Sequence, residues 1–267
     1  MAQASTSHLV FDCHVHLPSP HLAQTWEWSA CTPNLPSAIH YLRHCGVDRV
    51  LANSVLGEQA KTPAEMVAGN DEIAGIARQY SDFVVPACLI NTHFPEEALR
   101  EVERCHDELG MVWIGELCGY AGGYSYDTPA FAEMLQLATE LDMVVHIHDD
   151  DYQDVSRLCA RFPHTTFVLA HLGESPADVR ARIGLAAVHP NLYLDICGNG
   201  FERMGVLELA VETAGPERVL FGSDFTINDP AGVIARIQKS RLDEATRRKV
   251  LGDNLRRLLT ERGVHIE

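Results

Sequence analysis

Eight short apolar runs, each followed by a longer segment with helical spacing, set the limits on how this chain folds. The strand-like runs are Leu9–His16, Arg49–Ala52, Phe83–Ile90, Met111–Glu116, Met143–His148, Thr165–Ala170, Leu192–Asp195 and Val219–Phe221. Helical spacing covers Ser37–Cys45, Pro63–Tyr80, Pro95–Leu109, Thr128–Leu141, Asp151–Arg161 and Phe201–Ala214. Further helices start at Ser175-Pro176, by an N-cap and proline signature, and after Pro230; a last amphipathic one runs over Asp243–Thr260. Such alternation predicts an α/β fold with a parallel sheet closed as a (β/α)8 TIM barrel, one domain over residues 1–267. An open doubly wound sheet is the competitor, and no Gly-x-Gly-x-x-Gly follows the first strand to support it. There is no internal repeat, low-complexity tract or linker to split the chain.

Composition narrows the function classes. The chain is 46% hydrophobic, enough for a full core, yet no apolar run approaches membrane-spanning length. Met1–Ser7 is small and polar, without the basic-then-apolar pattern of a secretory signal. The eight cysteines form no Cys-x-x-Cys pair, which fits a reduced, cytoplasmic protein and no disulfide scaffold or zinc finger. A net charge of −16 with only three lysines repels nucleic acid and anionic membranes. The expected partners are a small-molecule substrate and further copies of the same chain. Fourteen histidines invite a search for metal ligands.

In a barrel of this kind chemistry sits at the C-terminal strand ends. The first strand ends Asp12-Cys-His14-Val-His16, where alternation puts Asp12, His14 and His16 on one face. Neutral imidazole suits zinc and other divalent transition metals, although a lone His-x-His is equally at home on a solvated face. Four other strands also end in a histidine or an acid: Ile114-Gly-Glu116, His146-Ile-His148, Ala170-His171 and Phe221-Gly-Ser-Asp224. Five strands of eight ending in metal-type ligands is hard to obtain from ordinary polar strand ends.

Together these segments resemble the amidohydrolase superfamily, within it the amidohydrolase-related branch. Asn191-Leu-Tyr-Leu-Asp195, Arg218 to Asp224 and Leu251-Gly-Asp-Asn254 through Leu259 are similar to that branch's segments, so the resemblance spans nearly the whole chain. It implies that His14, His16, His148 and His171 ligate a divalent metal ion, zinc foremost and manganese as the alternative. Asp224 would ligate the metal or touch its water and serve as the catalytic general base. Binuclear members use a strand-four acid, often a carboxylated lysine; with no lysine near that strand here, Glu116 takes the place, so one ion or two are open. Asp12 lies below the pair and is expected to support the ligands, and His146 lies deeper and is expected as a buried, hydrogen-bonded histidine in preference to a ligand. Asp195 is expected mainly as a strand end, and His93 and Arg203 are within conceivable reach of a substrate.

The chemistry so implied is metal-assisted hydrolysis of a small lactone, ester or amide, a bound ion lowering the pKa of water from about 15.7 to near 7. A non-oxidative decarboxylase of a small carboxylic acid is the alternative; its anionic substrate wants an arginine or lysine, and Asp149-Asp150-Asp151 with scarce lysine favours the neutral substrate. A TatD-like nuclease ranks lower because no basic patch exists. The Pro18–Pro36 loop, with Trp26 and Trp28, and the Tyr120, Tyr124, Tyr126 loop are candidates to cover the barrel mouth.

Overall fold

The computed structural model describes residues 8–19, 34–148, 151–198 and 200–266. Eight strands, all parallel to their neighbours, run β1 (Phe11–Leu17), β2 (Arg49–Ser54), β3 (Val84–Pro86), β4 (Trp113–Cys118), β5 (Val144–His148), β6 (Phe167–Leu169), β7 (Leu192–Asp195) and β8 (Val219–Leu220). They pair in the orders β1-β2-β3 and β4-β5-β6-β7-β8. Parallel bridges Cys88↔Ile114 and Val15↔Phe225 join the two sheets at both seams, which closes the (β/α)8 barrel.

The helices are α1 (Leu35–His44), α2 (Val55–Glu58), α3 (Pro63–Gln79), α4 (Pro95–Asp107), α5 (Gly119–Gly122), α6 (Pro129–Glu140), α7 (Tyr152–Arg161), α8 (Pro176–Val188), α9 (Val206–Ala214), α10 (Pro230–Gln238), α11 (Glu244–Arg248) and α12 (Asn254–Thr260). Thr62, Thr128, Ser175, Asp229 and Asp243 cap their helices through side-chain oxygens. None of the helices among the described residues is long and apolar enough to cross a membrane.

Two apolar layers surround the strands. Phe11, Leu51, Val85, Trp113, Val144, Val168 and Leu220 fill the barrel with Leu255, Leu258 and Leu259 of α12, which plugs its lower end. Val15, Leu17, Ile114, Leu117, Ile147 and Leu169 pack outward against the helices. The filled interior leaves the upper end for polar groups.

Several boundaries differ from those expected. The amphipathic stretch over Asp243–Thr260 is three pieces, α11, a π-helical turn at Lys249–Asp253, and α12. The turn presses Gly252 on β1, where a Cβ would lie 2.5 Å from Leu9 O. Only Gly permits that approach, and the Leu251-Gly-Asp-Asn254 segment is thereby a structural clasp: the Asn254 amide donates to Pro216 O and Val219 O. Expected helix at Phe201 begins at Val206 instead, after Gly205 at φ +84. The short helices α2 and α5 lie where loops were expected. Trp26, Trp28, Asp149 and Asp150 lie outside the described residues.

Candidate metal centre

Simple alternation would put Asp12, His14 and His16 on one face, and the structure corrects this. A register shift between Asp12 and Val15 interrupts β1. Phe11 and Cys13 join the barrel interior below, while Val15 and Leu17 join the outer layer. The bulge re-aims His14 and His16 to the upper interior. Asp12 turns to the β8 seam, where its Oδ1 accepts the backbone N–H of His14 at 3.0 Å and of Ser223 at 2.9 Å. A second shift interrupts β4 between Ile114 and Leu117 and carries Glu116 inward. Gly115 allows it: a Cβ there would lie 2.2 Å from His146 O, and its φ is +118°.

The six expected ligands converge. His14 Nε2 lies 3.0 Å from His16 Nε2 and 3.0 Å from Glu116 Oε2. Asp224 Oδ1 lies 3.2 Å from His16 Nε2 and 3.6 Å from His14 Nε2. On the other side, Glu116 Oε1 lies 2.9 Å from His148 Nδ1 and 3.3 Å from His171 Nε2. Glu116 thus turns one oxygen to each of two groups, His14/His16/Asp224 and His148/His171.

The outer nitrogens decide what these atoms need. His14 Nδ1–H donates to Asp195 Oδ2 at 2.7 Å. His16 Nδ1–H faces two acceptors, Asn53 Oδ1 at 2.8 Å and Glu58 Oε1 at 2.8 Å. With the protons held there, both Nε2 atoms carry lone pairs. Two lone pairs 3.0 Å apart, beside two carboxylate oxygens, repel unless a cation lies among them. A divalent ion or extra protons satisfies that demand, and imidazole with carboxylate is a donor set for zinc or manganese.

Electrostatics without an ion shows the same demand. Burial disfavours the His14 cation, but Cys197, Glu116 and Asp195 raise it well above the usual histidine range. Burial likewise pulls His16 down, and Glu58 with Asp224 outweighs it to push the ring up to about 10. Burial raises Glu116 and Asp195, but His14 and its neighbours hold both well below the usual carboxylate range.

Residues around the cluster hold its side chains in place. His171 at φ +63° and Asp224 at φ +59° occupy the left-handed region, rare for side chains with a Cβ and concentrated at functional sites. Asn228 donates to Asp224 Oδ2 at 3.3 Å. Asp195, expected mainly as a strand end, holds His14 and lies 3.3 Å from His146 Nε2. His146 packs edge-on against Trp113, below the convergent atoms. Asn53, Glu58 and Cys197 also touch the candidate ligand histidines, and sequence reasoning passed over all three; only the place of Asn53 near the end of β2, and of Glu58 and Cys197 just beyond β2 and β7, hinted at it.

A cleft of about 440 Å³ opens on the cluster, lined by His148, His171, Gly173, Glu174, Asp178, Arg182, Gly198, Asp224, Ile227 and Asn228. Arg182, on α8, is 7% exposed. Its Cδ and Nε pass Gly173, where a Cβ would lie 3.2 Å from each. Tyr120 is 72% exposed, and its ring meets His148 edge-on at 5.2 Å. Tyr126 does not reach the mouth, and Tyr124 lines a separate pocket with Glu58 and Glu116. Tyr124 is stacked on Phe131, and the Tyr126 hydroxyl is buried against Leu117 O and Gly119 N. Arg203 lines a separate surface pocket with Arg180 and Met204, and His93 lies exposed against Phe94.

A family model described as amidohydrolase matches residues 11–260. No curated protein matches the chain. Solved structures similar in fold include 2,6-dihydroxybenzoate decarboxylase from Rhizobium, at 17% identity and TM-score 0.74, covering 96% of this chain and 100% of that one. A dihydroxybenzoic acid decarboxylase from Polaromonas sp. JS666, with bound manganese and 2-nitroresorcinol, has 16% identity and TM-score 0.73 over 97% and 100% of the two chains. An uncharacterized TIM-barrel protein from Bordetella bronchiseptica has 18% identity and TM-score 0.77 over 96% and 99%.

Proposed function

The chain belongs to the amidohydrolase family, and from that premise we propose that it is a metal-dependent, non-oxidative decarboxylase of a small carboxylic acid. The observation that carries this reading is Arg182. The expectation of a neutral substrate rested on scarce lysine and an acidic loop. Arg182 supplies the missing cation, buried in the wall of the cleft that His148, His171 and Asp224 also line. A guanidinium forks onto a carboxylate through two parallel hydrogen bonds, and a low-dielectric wall strengthens them. The cleft volume suits one substituted ring. Fold neighbours that are decarboxylases, one with bound manganese, support the same reading.

His14, His16, Glu116 and Asp224 would hold one divalent ion, and Glu116, His148 and His171 a second. The ion supplies positive charge against the negative charge that builds up on the substrate. The chain does the rest. Arg182 anchors the carboxylate, and Asn228 aims Asp224. Loss of carbon dioxide breaks a carbon–carbon bond and leaves its electron pair on the substrate carbon, which then takes a proton. Asp224, between the candidate ligand histidines and the cleft, would take a proton from water in the cleft and pass it to that carbon.

Hydrolysis of a lactone, ester or amide is the second reading. The division of Glu116 between two groups favours it, because a paired-ion site suits attack by water. A panel of hydroxybenzoates, other small acids and lactones, assayed with manganese or zinc, separates the two. Carbon dioxide released from an acid, with a 10- to 100-fold higher KM in Arg182→Gln, is the expected result. Acid released from a lactone, with no carbon dioxide from any acid, overturns it.

A further inference from the structure

Cys197 is one of the eight cysteines, and nothing in the sequence assigns it a role. The structure puts it between the two halves of the metal centre. Its Sγ lies 3.2 Å from His171 Nδ1, 2.9 Å from Asp195 Oδ2 and 3.0 Å from His14 Nδ1. It is fully buried, just beyond the end of β7. Its backbone N–H donates to Asp195 Oδ1 at 3.0 Å, so the turn is pinned at both carboxylate oxygens. Gly198 follows at φ +68°, and a Cβ on it would lie 2.2 Å from His171 Nδ1. The His171 ring therefore rests in a cradle made by Gly198 and the sulfur.

We propose that Cys197 is a positioning residue that fixes the tautomer and orientation of His171 by linking it to Asp195. The hydrogen-bond directions follow from the partners. Asp195 Oδ2 is ionised and only accepts, so the S–H donates to it. With its hydrogen committed, the sulfur presents lone pairs to His171, and Nδ1–H donates to them. His171 Nε2 is then left with its lone pair toward Glu116 Oε1, 3.3 Å away, where an ion would sit. His14 is fixed by the same carboxylate oxygen. One buried acid thus sets both rings, His14 directly and His171 through the thiol. Outer partners of this kind set ligand orientation and change metal affinity about 10- to 100-fold when removed.

This inference rests on the metal reading, and the experiment separates the two. Co²⁺ is titrated into the metal-free full chain, and the visible absorption of the bound ion is followed. The parent is expected to bind Co²⁺ tightly; no binding at all sinks the metal reading itself. Cys197→Ala should hold its weakest Co²⁺ about 10- to 100-fold less tightly, with a changed spectrum. Cys197→Ser, whose hydroxyl both donates and accepts, should restore affinity and spectrum. Alanine and parent proteins with the same spectrum and affinity overturn the proposal, as does serine failing to rescue while folded. Should the alanine variant not fold, ¹⁵N spectra of the zinc-loaded parent decide. His171, assigned by its loss in His171→Gln, is expected with the proton on Nδ1, and a proton on Nε2 overturns the proposal.

Discussion

Gly222 lies against Asp195 so closely that a Cβ on it would fall 2.1 Å from Asp195 Oδ1. The Gly in Phe221-Gly-Ser-Asp224 is therefore a space requirement set by β7. Asp195 in turn holds His14 of β1. Gly222→Ala should displace the carboxylate, destabilise the protein by about 1–3 kcal/mol, and weaken metal binding about 10- to 100-fold. Urea unfolding of the metal-free protein and a Co²⁺ titration measure the two effects. Loss of stability with unchanged metal affinity would break the link between Gly222 and His14.

The two oxygens of Glu116 serve different groups, so the carboxamide makes an informative substitution. Glu116→Gln keeps the shape but turns an NH₂ toward one set of lone pairs. Metal content by mass spectrometry should fall from two ions per chain to one, and retention of the remaining ion should be at least about tenfold weaker. A parent with one ion, matched by the variant, would show that Glu116 does not bridge.

What the sequence makes legible here follows from periodicity. Eight apolar runs, each long enough for one strand, place the barrel, and the ends of five of them place His14, Glu116, His148, His171 and Asp224 near one another. The bulges in β1 and β4 leave no periodic trace, so Asp12 was read onto the wrong face. Glu58, Cys197 and Arg182 were invisible for a different reason. Glu58 and Cys197 reach the histidines, and Arg182 the cleft wall, from beyond a strand end, and a loop or the first turns of a helix carry no spacing rule toward a distant strand. The same holds for the tyrosines after β4: three in one loop looked alike, and only packing on Phe131 separates half-buried Tyr124 from exposed Tyr120.

His16 makes the metal-free protein sensitive to alkali. Its unfolded value is about 6.5, and the folded ring, despite burial, is pushed up to about 10 by Glu58 and Asp224. The folded state binds the extra proton. That stabilisation is complete below about pH 6.5 and is lost as pH rises through about 10. A bound divalent ion replaces the proton and removes the dependence. With chelator, Tm should fall steadily from pH 6.5 to 10; with zinc the curve should be flatter, and zinc added at pH 8 should release protons. Parallel curves with and without zinc would contradict this.

Tyr120 is the exposed aromatic side chain that rests on a candidate ligand. Its ring meets His148 at 5.2 Å while 72% of its surface faces solvent. Little stability is at stake in so exposed a group, so Tyr120→Ala should change unfolding free energy by less than about 0.5 kcal/mol. The rim of the cleft is another matter. An aromatic pair is worth about 0.5–1.5 kcal/mol beyond the area it buries. For a ring-containing acid that reaches the rim, Tyr120→Ala should therefore raise KM about 2- to 10-fold with kcat nearly unchanged, and Tyr120→Phe should restore it. For an aliphatic acid turned over by the same protein the effect should vanish. Equal losses for both substrates, or a loss confined to kcat, would mean that Tyr120 acts through His148 and does not stack on the substrate.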